Sequence, residues 1–173
     1  MALALNSKAP DFSLPSTSGG EVSLRSLRGE RVVLYFYPKD DTPGCTREAC
    51  GFRDNLVRVR AAGAQVFGVS KDSLASHEKF RGKYSLPFPL LSDAGSAVAR
   101  AYGAFGRKLM YGKEVEGTIR STYLIGATGL IEAVWSPVKV DGHVDQVLAA
   151  LSGGGAGEAA PEKKAPRKKK PAP

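Results

Sequence analysis

RVVLYFYPKDDTPGCTREAC, residues 31–50, is the stretch whose reading decides the fold. Its first seven residues, Arg31 to Tyr37, are rich in β-branched and aromatic side chains and almost continuously apolar. A strand with one wet face would alternate, so this run predicts a strand buried on both faces. The chain then turns polar through Pro38, Lys39, Asp40 and Asp41 before Thr42. Thr42 is a natural N-cap whose hydroxyl can accept a backbone N–H of a first helical turn. Pro43 fits the first helical position, where its missing N–H costs nothing. The predicted helix runs from about Pro43 to Ala62 and is closed by Gly63. Cys45 falls in its first turn, where the helix N-terminus favours negative charge and with it the thiolate, the nucleophilic form. Gly44 leaves room for a substrate to approach.

Working outward, AQVFGVS (Ala64–Ser70) predicts a second buried strand, and SLASHEKFRGKYS (Ser73–Ser85) a helix that ends before the prolines of LPFP. SAVARAYG reads as a short helix stopped by Gly103. RSTYLIG and LIEAVW, separated by the turn ATG, read as an antiparallel pair, and HVDQVLAAL (His143–Leu151) as a last amphipathic helix. Upstream, the turn STSGG followed by EVSL predicts a small hairpin strand. The order predicts an α/β, thioredoxin-like sandwich with a central mixed sheet flanked by helices, its first two main strands parallel. Chemistry in such folds sits in loops at the carboxyl ends of the strands, where Pro38–Cys45 leaves the first buried strand.

The 173 residues, 42% of them hydrophobic, suit one compact domain over residues 1–151, its body starting at about Leu3. Residues 152–173, SGGGAGEAAPEKKAPRKKKPAP, form a Gly/Ala/Pro/Lys-rich basic tail with almost nothing to bury, expected to be disordered. Six bases against two acids there leave a net charge of four, half of the +8 of the chain, so the body is not a nucleic-acid-binding domain by charge. The tail is either a solubilising extension or a source of weak, nonspecific, salt-sensitive contact with nucleic acid. The N-terminus has no signal-peptide pattern, and the longest apolar runs are too short to span a bilayer. The expected compartment is therefore the cytoplasm, with no membrane partner.

Cys45 and Cys50 are the chain's two cysteines. In a reducing compartment a close pair is more often catalytic, redox-active or metal-binding than a static staple. Five residues on an ideal helix separate the Cα atoms by roughly 8–9 Å, beyond the ~7 Å limit for an unstrained disulfide. The pair can be oxidised only if the helix is absent or unwinds locally, which suits a redox cycle. Two buried structural thiols are the plain alternative. A zinc site lacks ligands: His77 reads as a surface helix residue and His143 as a helix-start residue, and neither has ligand spacing. Trp135 reads as core or rim packing, and GGGAG as a flexible linker.

YPKDDTPGCTREAC resembles the active-site segment of the peroxiredoxins: Pro, three residues, Thr, two residues, Cys, here Pro38, Thr42 and Cys45. Cys50 points to the bacterioferritin-comigratory, or peroxiredoxin Q, branch. The resemblance continues through APDFSLPSTSGGEVSL, GVSKDSLASHEKF, LPFPLLSD and GTIRSTYLIG, covers nearly the whole body and stops at the tail. It implies a thiol peroxidase for hydrogen peroxide and organic hydroperoxides. Cys45 would be the peroxidatic cysteine and Cys50 the resolving cysteine of the same chain. Thr42 would hydrogen-bond the thiolate and the peroxide, Pro38 would shield the site, and Arg120 would stabilise the thiolate and the leaving oxygen. Glu48, one turn after Cys45, would have a supporting role in holding an arginine. The implied cycle passes through a sulfenic acid and an intramolecular disulfide, reduced by thioredoxin or a similar dithiol, with no cofactor and no metal. A resolving cysteine within the chain favours a monomer. Tyr123 stands where Phe is common and Gly126 where Asp is common, departures expected to alter packing or a turn. A redox sensor or holdase is the alternative function, and for Arg120 alone the residues do not exclude an ordinary surface arginine.

Overall fold

The structure, a computed structural model, describes residues 3–153. In chain order the elements are β1 (Ser13–Pro15), β2 (Glu21–Ser23), a 3-10 turn (Arg25–Leu27), β3 (Arg31–Phe36), α1 (Pro43–Asp54), α2 (Leu56–Ala61), β4 (Ala64–Ser70), α3 (Leu74–Tyr84), β5 (Leu90–Ser92), α4 (Ala97–Tyr102), β6 (Phe105–Met110), β7 (Lys113–Thr118), β8 (Ser121–Ile125), β9 (Ile131–Trp135) and α5 (His143–Gly153). Five strands form the central sheet in the order β5-β4-β3-β8-β9. β3 runs parallel to β4 and antiparallel to β8, so the sheet is mixed, as expected.

β3 sits in the middle because both of its faces are apolar. Val33, Tyr35 and Tyr37 point into a core shared with Phe52 of α1, Val59 of α2, Phe80 of α3 and Val147 of α5. Val32, Leu34 and Phe36 point the other way, against Phe12, Leu24, Tyr102 and Tyr123. The period of two in the pleat sorts one continuous apolar run onto two cores.

Four features differ from the sequence reading. The helix expected over Pro43–Ala62 is two helices, broken at Asn55. The Asn55 side-chain amide donates to Gly51 O at 2.9 Å, occupying a carbonyl that the next turn would otherwise use. β5 and the hairpin β6–β7 have no counterpart in that reading. β5 is three residues long, and the hairpin carries charge on an exposed arm rather than a buried run. The last helix continues two residues beyond Leu151, and the Leu151 carbonyl accepts a hydrogen bond from Arg31 at 3.2 Å. His77 is not a surface residue: it is fully buried, because α3 turns His77 and Phe80, three residues apart, toward the sheet. The expected basic tail lies outside the described residues beyond Gly153. Among the described residues, no helix is long and apolar enough to cross a membrane.

The departures at Tyr123 and Gly126 are packing and turn features. The Tyr123 hydroxyl donates to Tyr102 O at 2.6 Å within the second core. Gly126 N donates to Leu130 O in the β8–β9 turn, and a Cβ at Gly126 would collide with the Glu132 carboxylate.

Candidate active site

β3 delivers the chain to the carboxyl edge of the sheet, and Tyr37 N still bonds Val69 O at 3.0 Å. Pro38, half-buried, begins the loop that ends at Thr42. Thr42 takes the extended N-cap conformation (φ −106°, ψ 156°) with Pro43 at the first helical position. Its hydroxyl does not cap the helix. It turns back and donates to Lys39 O at 2.9 Å, correcting the capping expectation. The Thr42 backbone carbonyl accepts from Thr46 N at 2.8 Å and starts the helical ladder. With no side-chain cap, the first-turn N–H groups remain for an anion. Thr42 itself, its proton committed to Lys39, offers lone pairs.

Cys45 lies in this first turn, 1% exposed and reduced. Arg120, immediately before β8, reaches across the sheet edge. Its Nη1 lies 3.3 Å from Cys45 Sγ and 2.8 Å from Glu48 Oε1. Glu48, one helical turn after Cys45, is itself 1% exposed, and its Oε2 has no hydrogen-bond partner among the described residues. Burial pushes the Glu48 carboxyl up to about 7, against the pull of the Arg120 charge and hydrogen bond. For Arg120, burial works against the cation, but Glu48 and Cys45 outweigh it and raise its affinity for the proton. Gly44 makes room for this arrangement rather than for substrate. A Cβ there would lie 3.1 Å from Arg120 Nη2, so the guanidinium occupies the space that the missing side chain leaves. The Arg120 carbonyl accepts from Val138 N at 2.8 Å, which anchors the arginine's backbone.

The structure thus brings together Cys45, Glu48 and Arg120 in direct contact, with Thr42 and Pro38 on the adjoining loop. Cys50 stands apart. It is a free, half-buried thiol opening into a groove of about 430 Å³ between α1 and the start of α5, lined by Arg47, Gly51, Asp54, Asp141 and Val144. Arg47 and Asp141 bridge that groove at 2.7 Å. α1 is unbroken from Pro43 to Asp54, so both cysteines sit on an intact helix.

Three features near the site escape the sequence reading. Lys108 of β6 donates to Thr118 O at 2.6 Å, two residues from Arg120. Its affinity for a proton is lowered by burial and by the Arg120 charge, an effect that Cys45 partly offsets. An alternating strand of an exposed hairpin gives no local sign of that placement. Asp40 and His77 form a buried pair at 2.8 Å across 37 residues of sequence, again without a local pattern. His143 does begin α5, as expected, but it is fully buried. It shares a 2.8 Å hydrogen bond with the Thr122 hydroxyl and meets the half-buried Trp135 edge-on; burial pushes its ring down to about 4.

A buried thiol at a helix N-terminus, paired with a guanidinium at the carboxyl edge of the sheet, is an arrangement that favours a reactive thiolate. Comparison with known proteins identifies the group. The AhpC/TSA family model matches residues 5–134. The chain is 51% identical over 151 residues to the putative peroxiredoxin bcp of Coxiella burnetii, covering 87% of this chain and all of that protein. It is 44% identical over 140 residues to peroxiredoxin Bcp of Escherichia coli, covering 81% of this chain and 90% of that one. Among solved structures, peroxiredoxin Q of Xanthomonas campestris superposes with a TM-score of 0.78 at 45% identity, over 82% of this chain and 90% of that chain. The chain belongs to the AhpC/TSA family, in the bacterioferritin-comigratory or peroxiredoxin Q branch of the peroxiredoxins.

Proposed function

We propose that the protein reduces hydroperoxides through Cys45, with Cys50 resolving the oxidised thiol in the same chain. The Cys45 thiolate attacks one oxygen of ROOH, the O–O bond breaks, and the departing alkoxide takes a proton and leaves as ROH. Cys45 is left as a sulfenic acid. The Cys50 thiolate then attacks that sulfur, the S–O bond breaks, the departing hydroxide takes a proton from solvent and leaves as water, and a Cys45–Cys50 disulfide forms. Thioredoxin or a similar dithiol reduces it by exchange, becoming a disulfide itself.

The observation that carries this reading is the single Arg120 Nη1 within reach of both Cys45 Sγ and the buried Glu48 carboxylate. A cation held in that position favours the thiolate before attack and the negative charge on the leaving oxygen during it. Glu48 holds the guanidinium in place. Thr42, its own proton donated to Lys39, accepts a hydrogen bond from the O–H of the peroxide. Pro38 limits access of water. Organic hydroperoxides are included among the substrates, in keeping with the alkyl peroxide reduction activity of the Xanthomonas campestris bacterioferritin comigratory protein, 44% identical to this chain. Resolution within one chain supports a monomeric catalytic unit.

The test is peroxide consumption coupled to thioredoxin, its reductase and NADPH, with hydrogen peroxide and an alkyl hydroperoxide compared. Turnover is expected for the native chain and none for Cys45→Ser; equal consumption by the two would defeat the proposal. A Cys50→Ser chain is expected to stop at the sulfenic acid or a mixed disulfide.

A further inference from the structure

The loop carrying Pro38 and Thr42 is fastened by a buried network that the proposed chemistry does not use. At its centre is Asp40, whose side chain is 4% exposed, paired with the fully enclosed His77 of α3. His77 Nε2 lies 2.9 Å from Leu91 O. A carbonyl oxygen only accepts, so Nε2 carries a proton. His77 Nδ1 lies 2.8 Å from Asp40 Oδ2, which also accepts from Ser76 Oγ at 2.7 Å. Asp40 Oδ1 accepts from the Tyr37 hydroxyl at 2.6 Å. Burial alone would raise the Asp40 carboxyl, but the hydrogen bonds from His77, Tyr37 and Ser76 together outweigh it and hold it below its ordinary value. Asp40 is therefore a carboxylate at neutral pH, and each ring nitrogen of His77 faces a hydrogen-bond acceptor.

The same loop is tied at two further points. Asp40 N donates to Asp72 Oδ2 at 2.8 Å, and that oxygen also accepts from Ser70 Oγ at 2.7 Å. Asp41, in the left-handed region at φ +58°, binds Lys83 Nζ at 2.9 Å and Tyr84 OH at 3.0 Å. Consecutive loop residues are thus held by both halves of α3. Asp40, Asp72 and His77 bring three metal-ligand-type atoms within 4.8 Å of one another. Both His77 nitrogens and both Asp40 oxygens already serve hydrogen bonds, so the cluster is a filled network rather than a metal site.

We propose that His77 is a positioning residue for peroxide reduction. Through its buried hydrogen bond to Asp40 it fixes the Pro38–Thr42 loop, and with it the Thr42 oxygen and the first turn of α1, where the peroxide must lie. Removing the donor would leave the buried Asp40 carboxylate short of a partner, which is costly and makes the pair a stiff geometric constraint. The rate of a positioned reaction falls steeply with displacement of its parts. The clamp also confines the local unwinding needed for disulfide closure to residues after Thr42, so the loop keeps its shape through the cycle. The inference rests on the reading of Cys45 as the peroxide-reactive thiol.

Two substitutions separate positioning from general stability. His77→Asn keeps an N–H in the place of Nδ1 and so the bond to Asp40. His77→Gln reaches the place of Nε2, keeps the bond to Leu91 and leaves Asp40 without that donor. Both remove the same ring. In a Cys50→Ser background, single-turnover oxidation of Cys45 by hydrogen peroxide is measured beside its alkylation by iodoacetamide and the melting temperature. The Gln variant is expected to react with peroxide about tenfold or more slowly, with alkylation little changed, while the Asn variant stays within about threefold of its parent. Equal slowing of the two variants, native rates in the Gln variant, or loss of alkylation in step with peroxide reactivity would overturn the proposal. Should either variant fail to fold, Ser76→Ala decides, since it removes one donor to the same carboxylate from a half-buried position. A several-fold loss supports the clamp and an unchanged rate rejects it. Absence of peroxide reaction in the parent chain itself would instead defeat the functional reading.

Discussion

Glu48 is buried beside a cation, yet its carboxyl is pushed up to about 7, because the cost of enclosing its charge exceeds what Arg120 returns. The folded protein therefore holds this proton more tightly than the unfolded chain, where the ordinary value is 4.5. The stability that follows is complete below pH 4.5 and is lost as the pH rises through about 7. The buried His143 ring, pushed down to about 4, adds an opposing rise in the same window, so the Glu48 effect is read as a difference: the stability of the native protein relative to Glu48→Gln is expected to fall by up to about 3 kcal/mol in denaturant titrations. Glu48→Gln keeps an acceptor for Arg120 and shares the His143 titration. An identical slope in both would mean that Glu48 does not carry the proton. Gly44→Ala tests the other side of the guanidinium. A Cβ 3.1 Å from Arg120 Nη2 forces it to move by a few tenths of an ångström. Peroxide kcat/KM is expected to fall several-fold while the melting temperature barely changes. At this scale the sequence is legible where the signal is local: Thr42, Pro43 and Cys45 are neighbours, and their order announces a helix start with a thiol in it. Arg120, 75 residues away from Cys45, is reachable only through the family resemblance. The burial of His77 is illegible, because nothing in SHEKF tells which face of its helix meets Asp40.

Among the elements, the proposed cycle places two demands on α1. It must be intact to hold Cys45 against Arg120, and it must open for Cys50 to reach Cys45. Hydrogen exchange is expected to show protected amides over residues 45–54 in the reduced protein and a loss of protection near Cys45–Cys50 after one equivalent of peroxide. Protection that survives complete oxidation would remove Cys50 as the partner. β4 is constrained differently. A Cβ at Gly68 would sit 2.9 Å from both Leu90 Cδ2 and the Tyr35 ring. Gly68→Ala is expected to cost about 1–3 kcal/mol by overpacking, read as a lower melting temperature. The elements legible in the sequence are those with apolar runs, such as β3, β4 and the β8–β9 pair, or with a helical apolar pattern, such as α5. β6 and β7 stay hidden because their charges, among them Arg107 paired with Glu114 at 3.1 Å, satisfy an exposed hairpin instead of a core. The break at Asn55 is hidden too, since an asparagine inside a helical stretch declares itself only through the hydrogen bond it makes.

For the molecule as a whole, one sheet separates two apolar cores, and β3 contributes alternate side chains to each. The division expected from the sequence, a folded body and a basic extension, calls for a test on whole proteins. A chain ending at Gly153 keeps α5 complete and is expected to retain full peroxidase activity. Any retention on DNA by the full chain should disappear in the shortened one. Its salt slope should be no steeper than about −5, given six basic residues in the tail. Equal DNA retention by the shortened chain would assign the contact to the body.

The bond from Arg31 to the Leu151 carbonyl has a geographical consequence. Arg31 opens β3, and Cys45 follows its other end, so the last turn of α5 is moored at the pole of the molecule opposite the reactive sulfur. Six residues of strand put about 20 Å between the two poles. Gly153 therefore lies on the far side, and a protein immobilised on a surface through that end would present Cys45 outward.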